Sequence, residues 1–170
     1  MISFISNKVE NLIKKHDESD PFRLCQSLGI LILYEKFSNN IKGYFLVQSR
    51  IQIIVINSNL PEELQRIICA HELGHAILHQ KLAAKNTLSD FALFDATAQP
   101  EFEANLFAAE LLIKDDTVIS LLNEDLSFFD VASTLCVPAE LLDFKFRILK
   151  HKGYRLEAQL YCHGDFLKKP

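Results

Sequence analysis

The stretch His71-Glu72-Leu73-Gly74-His75 restricts this chain most, because it carries chemistry only if it lies in a helix. The run from Pro61 to His79 supplies that helix. Pro61 suits the first helical position, and Glu62 and Glu63 suit the positive end of the helix dipole. Leu64, Ile68, His71, His75 and Leu78 recur at roughly 3.6-residue spacing and form one stripe expected to be buried. Histidines four apart on a helix stand one above the other, so both imidazoles can reach one metal ion. Glu72 is turned about 100° from His71, which brings its carboxylate beside the ion rather than onto it. A general base needs that position to take a proton from a water polarised by zinc. Gly74 in a helix interior costs about 1 kcal/mol relative to alanine, so a close approach by another element is expected there.

A catalytic zinc usually has three protein ligands and one open position. A third histidine at the metzincin spacing is excluded, since Leu78 and Lys81 hold the two diagnostic places. His79 lies on the same stripe, but ligands at i, i+4 and i+8 of one straight helix span about 12 Å, too far for one ion. His79 therefore reads as a packed histidine. A carboxylate from the next strongly helical run, Glu101 to Ile113, is the remaining source, and Glu101, Glu103 and Glu110 are its candidates. Glu101 shares a face with Ala104, Asn105 and Ala108, whose small side chains let this helix press on the zinc helix, opposite Gly74. Glu103 shares its face with Phe107 and Glu110. The close-contact face favours Glu101, with Glu103 the alternative.

The remaining chain reads as α+β. Phe4, Ile5, Val9, Leu12 and Ile13 make an amphipathic first helix, and Asp20-Pro21 opens a second that Gly29 closes. Strands are expected over Ile30–Phe37, Ile41–Gln48 and Ile51–Ile56, with a turn at Asn39-Asn40. The last two pair as a hairpin about Ser49-Arg50, although that dipeptide lacks the glycine or asparagine that tight hairpins prefer. Lys81 to Gln99 reads as a loop or short helix beside the site. Asp115 or Asp116 can cap a helix through Leu122. Leu126–Leu135, a turn at Cys136-Val137-Pro138, and Ala139–Lys150 form a C-terminal helical hairpin ended by Gly153. Two units are expected: a metal-binding core over 1–125, and the hairpin and tail over 126–170, packed on it.

With 170 residues, half of them hydrophobic, the chain has material for one real core. A net charge of −4 argues against a general nucleic-acid surface. The hairpin has a helix-turn-helix outline and a basic end at Lys145, Arg147, Lys150, Lys152 and Arg155. Its many apolar residues leave few positions for a recognition face, so packing or partner docking is the better reading. Cys25, Cys69, Cys136 and Cys162 show no short paired spacing, and Cys162-His163 is a weak metal signal. The chain has no signal-peptide pattern and no membrane-length apolar run, so a cytoplasmic protein with free thiols is expected.

Three blocks in order resemble the ImmA/IrrE-type metallo-endopeptidases of bacteria and their mobile elements. They are the strand ending Ile56-Asn57, the run Arg66 through His75, and Glu101 through Ala104-Asn105 with Phe107-Ala108-Ala109 and Leu111-Leu112. The resemblance implies His71, His75 and Glu101 as Zn2+ ligands and Glu72 as catalytic base. It implies a zincin-like, gluzincin-type fold, in which the small twisted, mainly antiparallel three-stranded sheet packs on the HExxH helix and the glutamate helix. It also implies a zinc endopeptidase of narrow specificity that cuts a helix-turn-helix repressor of a mobile element or stress response. The rival is a zincin-fold binding module, an antitoxin or co-regulator that docks a partner without cutting it. One departure is that Ile113 is followed by Lys114 and Asp115, where such proteins commonly have a short apolar residue and proline. For the second electrophile, Tyr44 and His79 are the candidates. Ile51–Ile56 is a candidate edge strand on which an extended peptide could pair.

Overall fold

The computed structural model describes residues 1–37, 41–80, 88–90, 98–124 and 126–156. Two helices come first, α1 (Ile2–His16) and α2 (Pro21–Leu28), followed by strands β1 (Leu31–Glu35), β2 (Gly43–Gln48) and β3 (Ile51–Asn57). Helix α3 (Glu62–Leu78), strand β4 (Leu88–Asp90) and helix α4 (Gln99–Leu112) come next. Helices α5 (Asp115–Asn123), α6 (Phe128–Thr134) and α7 (Ala139–His151) complete the described chain. Among the described residues no helix is long and apolar enough to cross a membrane.

Local signals set the element ends. The Asp20 carboxylate accepts from the Phe22 and Arg23 amides at 3.1 Å each, capping α2 ahead of Pro21. Gly29 closes that helix with φ 70°, a conformation that only glycine adopts freely. Ser49 and Arg50 form the two-residue turn between β2 and β3, with φ 50° and 68°. Both non-glycine residues are held in the left-handed region because Gln48 and Ile51 are already paired across the ladder. Pro61 stands one residue before α3, at the cap position.

The strands order as β1-β3-β2-β4, with β1 parallel to β3 and the other two pairings antiparallel. The three expected strands form this mainly antiparallel α+β sheet, and β4 adds a short fourth within the stretch read as loop or helix. Of that stretch, Ala98 and Gln99 cap and begin α4, while 81–87 and 91–97, like the Asn39-Asn40 turn and Cys162-His163, lie outside the described residues. One expectation is overturned. Ile51–Ile56 is not an edge strand, because β3 is paired on both sides. The reason is visible in its burial: Ile54, Val55 and Ile56 are all buried, the pattern of a strand covered on both faces.

Helix α3 packs against β2 and β3, against α2, and most extensively against α4; α4 in turn supports α1 and α7. Every residue from Ile67 to Ala76 is buried. The stripe read from spacing is thus only part of a helix enclosed all round, and its ends Leu64 and Leu78 are half-buried. A second correction concerns α5. Lys114 holds its cap position and no side chain caps it. The Asp115 carboxylate is instead committed to Lys145 of α7 and to Lys152 at its C-cap. The Glu110 carboxylate takes the same two lysines, at 2.5 and 2.6 Å, so two acids and two bases tie α7 to α4. Lys145 is almost wholly buried, and burial of this kind is tolerated only with paired, hydrogen-bonded charges. The Ile113-Lys114-Asp115 departure therefore delivers one member of this cluster.

Candidate metal centre

Gly74 sets the distance between the two helices that build the site. A Cβ added to it would stand 3.2 Å from the Ala104 Cα and 3.2 Å from the Phe107 Cβ. The small residues expected to face each other do so, and Glu101 is carried to the histidines by the first turn of α4. His71, His75 and Glu101 each offer one ligand atom, all within 4.8 Å of one another. The His71 and His75 Nε2 atoms are 3.1 Å apart. Glu101 reaches them with Oε2 at 3.2 Å from His71 Nε2 and Oε1 at 3.4 Å from His75 Nε2. Two donors about 2.1 Å from a zinc ion at the tetrahedral angle lie about 3.4 Å apart. The observed separations match this closely enough for one small ion to sit among the three donors. Both histidines are 1% exposed, whereas the Glu101 side chain is 23% exposed, so the site opens on the carboxylate side.

Hydrogen bonds behind the site fix the direction of the lone pairs. The His71 Nδ1–H donates to the Asn105 Oδ1 at 3.0 Å, which leaves the His71 Nε2 lone pair facing the site. Asn105 lies one turn after Glu101, so the same helical face supplies the carboxylate and the group that orients His71. Burial pushes His75 below its ordinary pKa, against the hydrogen bond it donates to Glu101, and so favours the neutral form that can bind metal. Burial would raise the Glu101 carboxyl. The hydrogen bonds and charges of His71 and His75 outweigh it and hold the group well below the usual carboxylate range. An ion in the site would take the place of those Nε2 hydrogens, with the two imidazole lone pairs and the carboxylate converging on it as donors.

Glu72 is fully buried on α3, directly after His71. Gly43 at the start of β2 packs beside it. A Cβ there would stand 3.6 Å from Glu72 Oε1 and 2.5 Å from the buried Ile68 Cγ2, so only glycine fits. Sequence reasoning missed Gly43, because nothing local shows which residue of β2 meets α3. It also left Asn105 without a task, although the shared face with Glu101 was a usable signal.

The remaining candidates fall elsewhere. Glu103 is not in the metal-capable trio; its Oε2 lies 3.0 Å from His79 Nε2. His79 is buried and its Nδ1 lies 3.1 Å from His75 Nδ1, behind the trio, so it cannot reach a substrate oxyanion. Tyr44 alternates with the inward-facing Gly43 and Phe45, and its ring lies 5.9 Å from that of Phe37 on the sheet face away from α3. Neither is the second electrophile. Cys69 is fully buried core, as expected, with its Sγ 3.9 Å from that of Cys25.

A sequence profile described as the IrrE N-terminal-like domain, a peptidase family, matches residues 25–147. Among known proteins, an uncharacterized immunity region protein 2 of Bacillus phage phi105 is 36% identical over 143 residues, covering 84% of this chain and 89% of that protein. Metallopeptidase ImmA of Bacillus subtilis (strain 168) is 29% identical over 149 residues, covering 83% of each. The profile spans both helices of the site.

Proposed function

This chain belongs to the IrrE N-terminal-like family of metallopeptidases, and from that membership we propose that it is a zinc-dependent endopeptidase of narrow specificity. His71, His75 and Glu101 hold the ion, and Glu72 is the general base. One observation carries the reading: three donor atoms from two helices converge within 4.8 Å, on the helix that also presents Glu72. When bound there, zinc supplies Lewis-acid polarisation of the scissile carbonyl and of the attacking water. Glu72 takes a proton from that water and returns it to the leaving amine. Asn105 keeps His71 aligned, and Gly43 leaves the Glu72 carboxylate room. The substrate is a regulatory protein, a helix-turn-helix repressor of a mobile element or stress response, and the site of action is the cytoplasm. The relative in the phage immunity region supports this choice.

Direct DNA binding is not part of this reading. The α7 face carrying Leu141, Leu142, Phe144 and Ile148 is buried, and Lys145 and Lys152 are neutralised by Glu110 and Asp115. We assign α6 and α7 to a helical hairpin that supports the core over 1–125; the tail beyond 156 lies outside the described residues.

The test is a cleavage assay with zinc-loaded protein and the helix-turn-helix regulator encoded beside its gene, comparing wild type with Glu72→Gln. Cleavage by wild type alone is expected. Zinc binding and partner retention without cleavage by either protein would replace the enzyme by a docking module.

A further inference from the structure

Behind the metal centre, on the side away from the carboxylate opening, a second row of groups lies in line. His75 Nδ1 is 3.1 Å from His79 Nδ1, and His79 Nε2 is 3.0 Å from Glu103 Oε2. The rings of His75 and His79 are tilted by 52° with centroids 5.2 Å apart. Glu103 also accepts from Gln99 Nε2 at 2.8 Å, which fixes its carboxylate on α4.

The proton positions follow from that end. Glu103 accepts from Gln99 through Oε1 and turns its Oε2 to the His79 ring, so the His79 Nε2 carries a hydrogen and donates it. A neutral His79 then has a lone pair on Nδ1, which accepts from the His75 Nδ1–H. The remaining nitrogen of His75, Nε2, is left with its lone pair directed at His71 and Glu101. We propose that His79 and Glu103 are positioning residues that hold His75 in the tautomer and orientation its metal role requires. The inference rests on the metal-centre reading above and assigns roles to two residues outside the ligand set. Metal-bound histidines generally need an acceptor behind them. Here a second histidine, at the C-cap of the same helix, relays that acceptor from a glutamate on the neighbouring helix. The relay spans the contact between α3 and α4 next to the ligands, so it also ties His75 to the helix that carries Glu101.

The experiment uses the full chain and zinc alone. Zinc affinity is measured by competition with a chromophoric chelator for wild type, His79→Phe, His79→Gln, Glu103→Ala and the His79→Phe/Glu103→Ala double variant. Unfolding temperature of each metal-free protein and the visible spectrum of each cobalt(II) form are recorded alongside. His79→Phe keeps the ring volume but removes the acceptor, and it should weaken zinc binding about 10- to 100-fold and shift the cobalt bands. His79→Gln, which can still accept, should recover most of the affinity. The double variant should bind no worse than His79→Phe, because both substitutions break one chain. Wild-type affinity and an unchanged cobalt spectrum in His79→Phe would overturn the proposal. So would equal losses in His79→Phe and His79→Gln that track a fall in metal-free stability, since packing would then be the cause. A wild type that takes up no zinc would instead sink the metal-centre reading, and this inference with it.

Discussion

Gly74 of α3 lies against Ala104 of α4 so closely that a Cβ on the glycine would stand 3.2 Å from the alanine Cα. This contact brings the histidines of one helix within reach of the glutamate of the other. It is a backbone contact, so neither partner can swing aside.

Gly74→Ala sets two effects against each other. Alanine improves helix propensity by about 1 kcal/mol. Crowding a filled interior against backbone costs about 1–3 kcal/mol, and that effect should win. We expect a net loss of about 1 kcal/mol in chemical unfolding. Zinc affinity should also fall, because α4 carries Glu101 outward as it yields. Unchanged affinity would mean that the spacing of these helices is not critical.

Metal binding should stabilise the fold, since the donors converge only in the native state. At free zinc one hundred times the dissociation constant, the gain should be about 2.7 kcal/mol, read as a zinc-dependent rise in unfolding temperature. Glu101→Ala should remove most of that rise. Glu72→Gln should keep it while abolishing peptidase activity, because a base beside the ion is not a ligand. A zinc response lost in Glu72→Gln would reverse that assignment.

The cluster of Glu110, Asp115, Lys145 and Lys152 gives a pH signature. Burial would raise Asp115, but the hydrogen bonds and charges of Lys145 and Lys152 hold it below its ordinary 3.8. Its stabilising effect is therefore present above 3.8 and is lost as pH falls through the folded-state value. Burial would lower Lys152, but Asp115 and Glu110 hold it above its ordinary 10.5, so its contribution is lost only as pH rises past that. Asp115→Asn should unfold at lower temperature than wild type at neutral pH, and the gap should narrow on acidification. A constant gap down to strong acid would argue that Asp115 acts by packing rather than charge.

The turn at Ser49-Arg50 holds two non-glycine residues at positive φ. Replacing the pair with Asn-Gly, which suits that geometry, should stabilise the protein by about 1 kcal/mol. Activity should not change, because the turn joins β2 and β3 at the end of β2 opposite Gly43, which packs beside Glu72. Destabilisation by the swap would show that the Ser49 or Arg50 side chain makes a contact that matters more than the backbone strain.

The parts of the protein written in local chemistry were legible in its sequence. Asp20, Pro21 and Gly29 bound α2 because capping and positive φ depend on single residues. His71, Glu72 and His75 fall beside one another because helical periodicity alone places them. Ala104 and Ala108 announced a close helix contact because small residues at that spacing leave a flat face. Family likeness then extended from these blocks to the peptidase fold. Other features needed the third dimension. Whether β3 is an edge or a centre depends on which strand comes to lie beside it, and β1 reaches it only after the chain has passed through β2. Gly43 meets Glu72 across a sheet-to-helix contact that no spacing encodes. Asp115 reads as a helix cap until Lys145 and Lys152, far along the chain, approach it as stronger partners. Glu103 and His79, each plain in isolation, become one chain of hydrogen bonds only when α4 packs on α3. The sequence alone determined which residues can act together within one helix. Tertiary packing decided which helices meet, because contacts between distant segments depend on how side-chain volumes and buried charges are satisfied together.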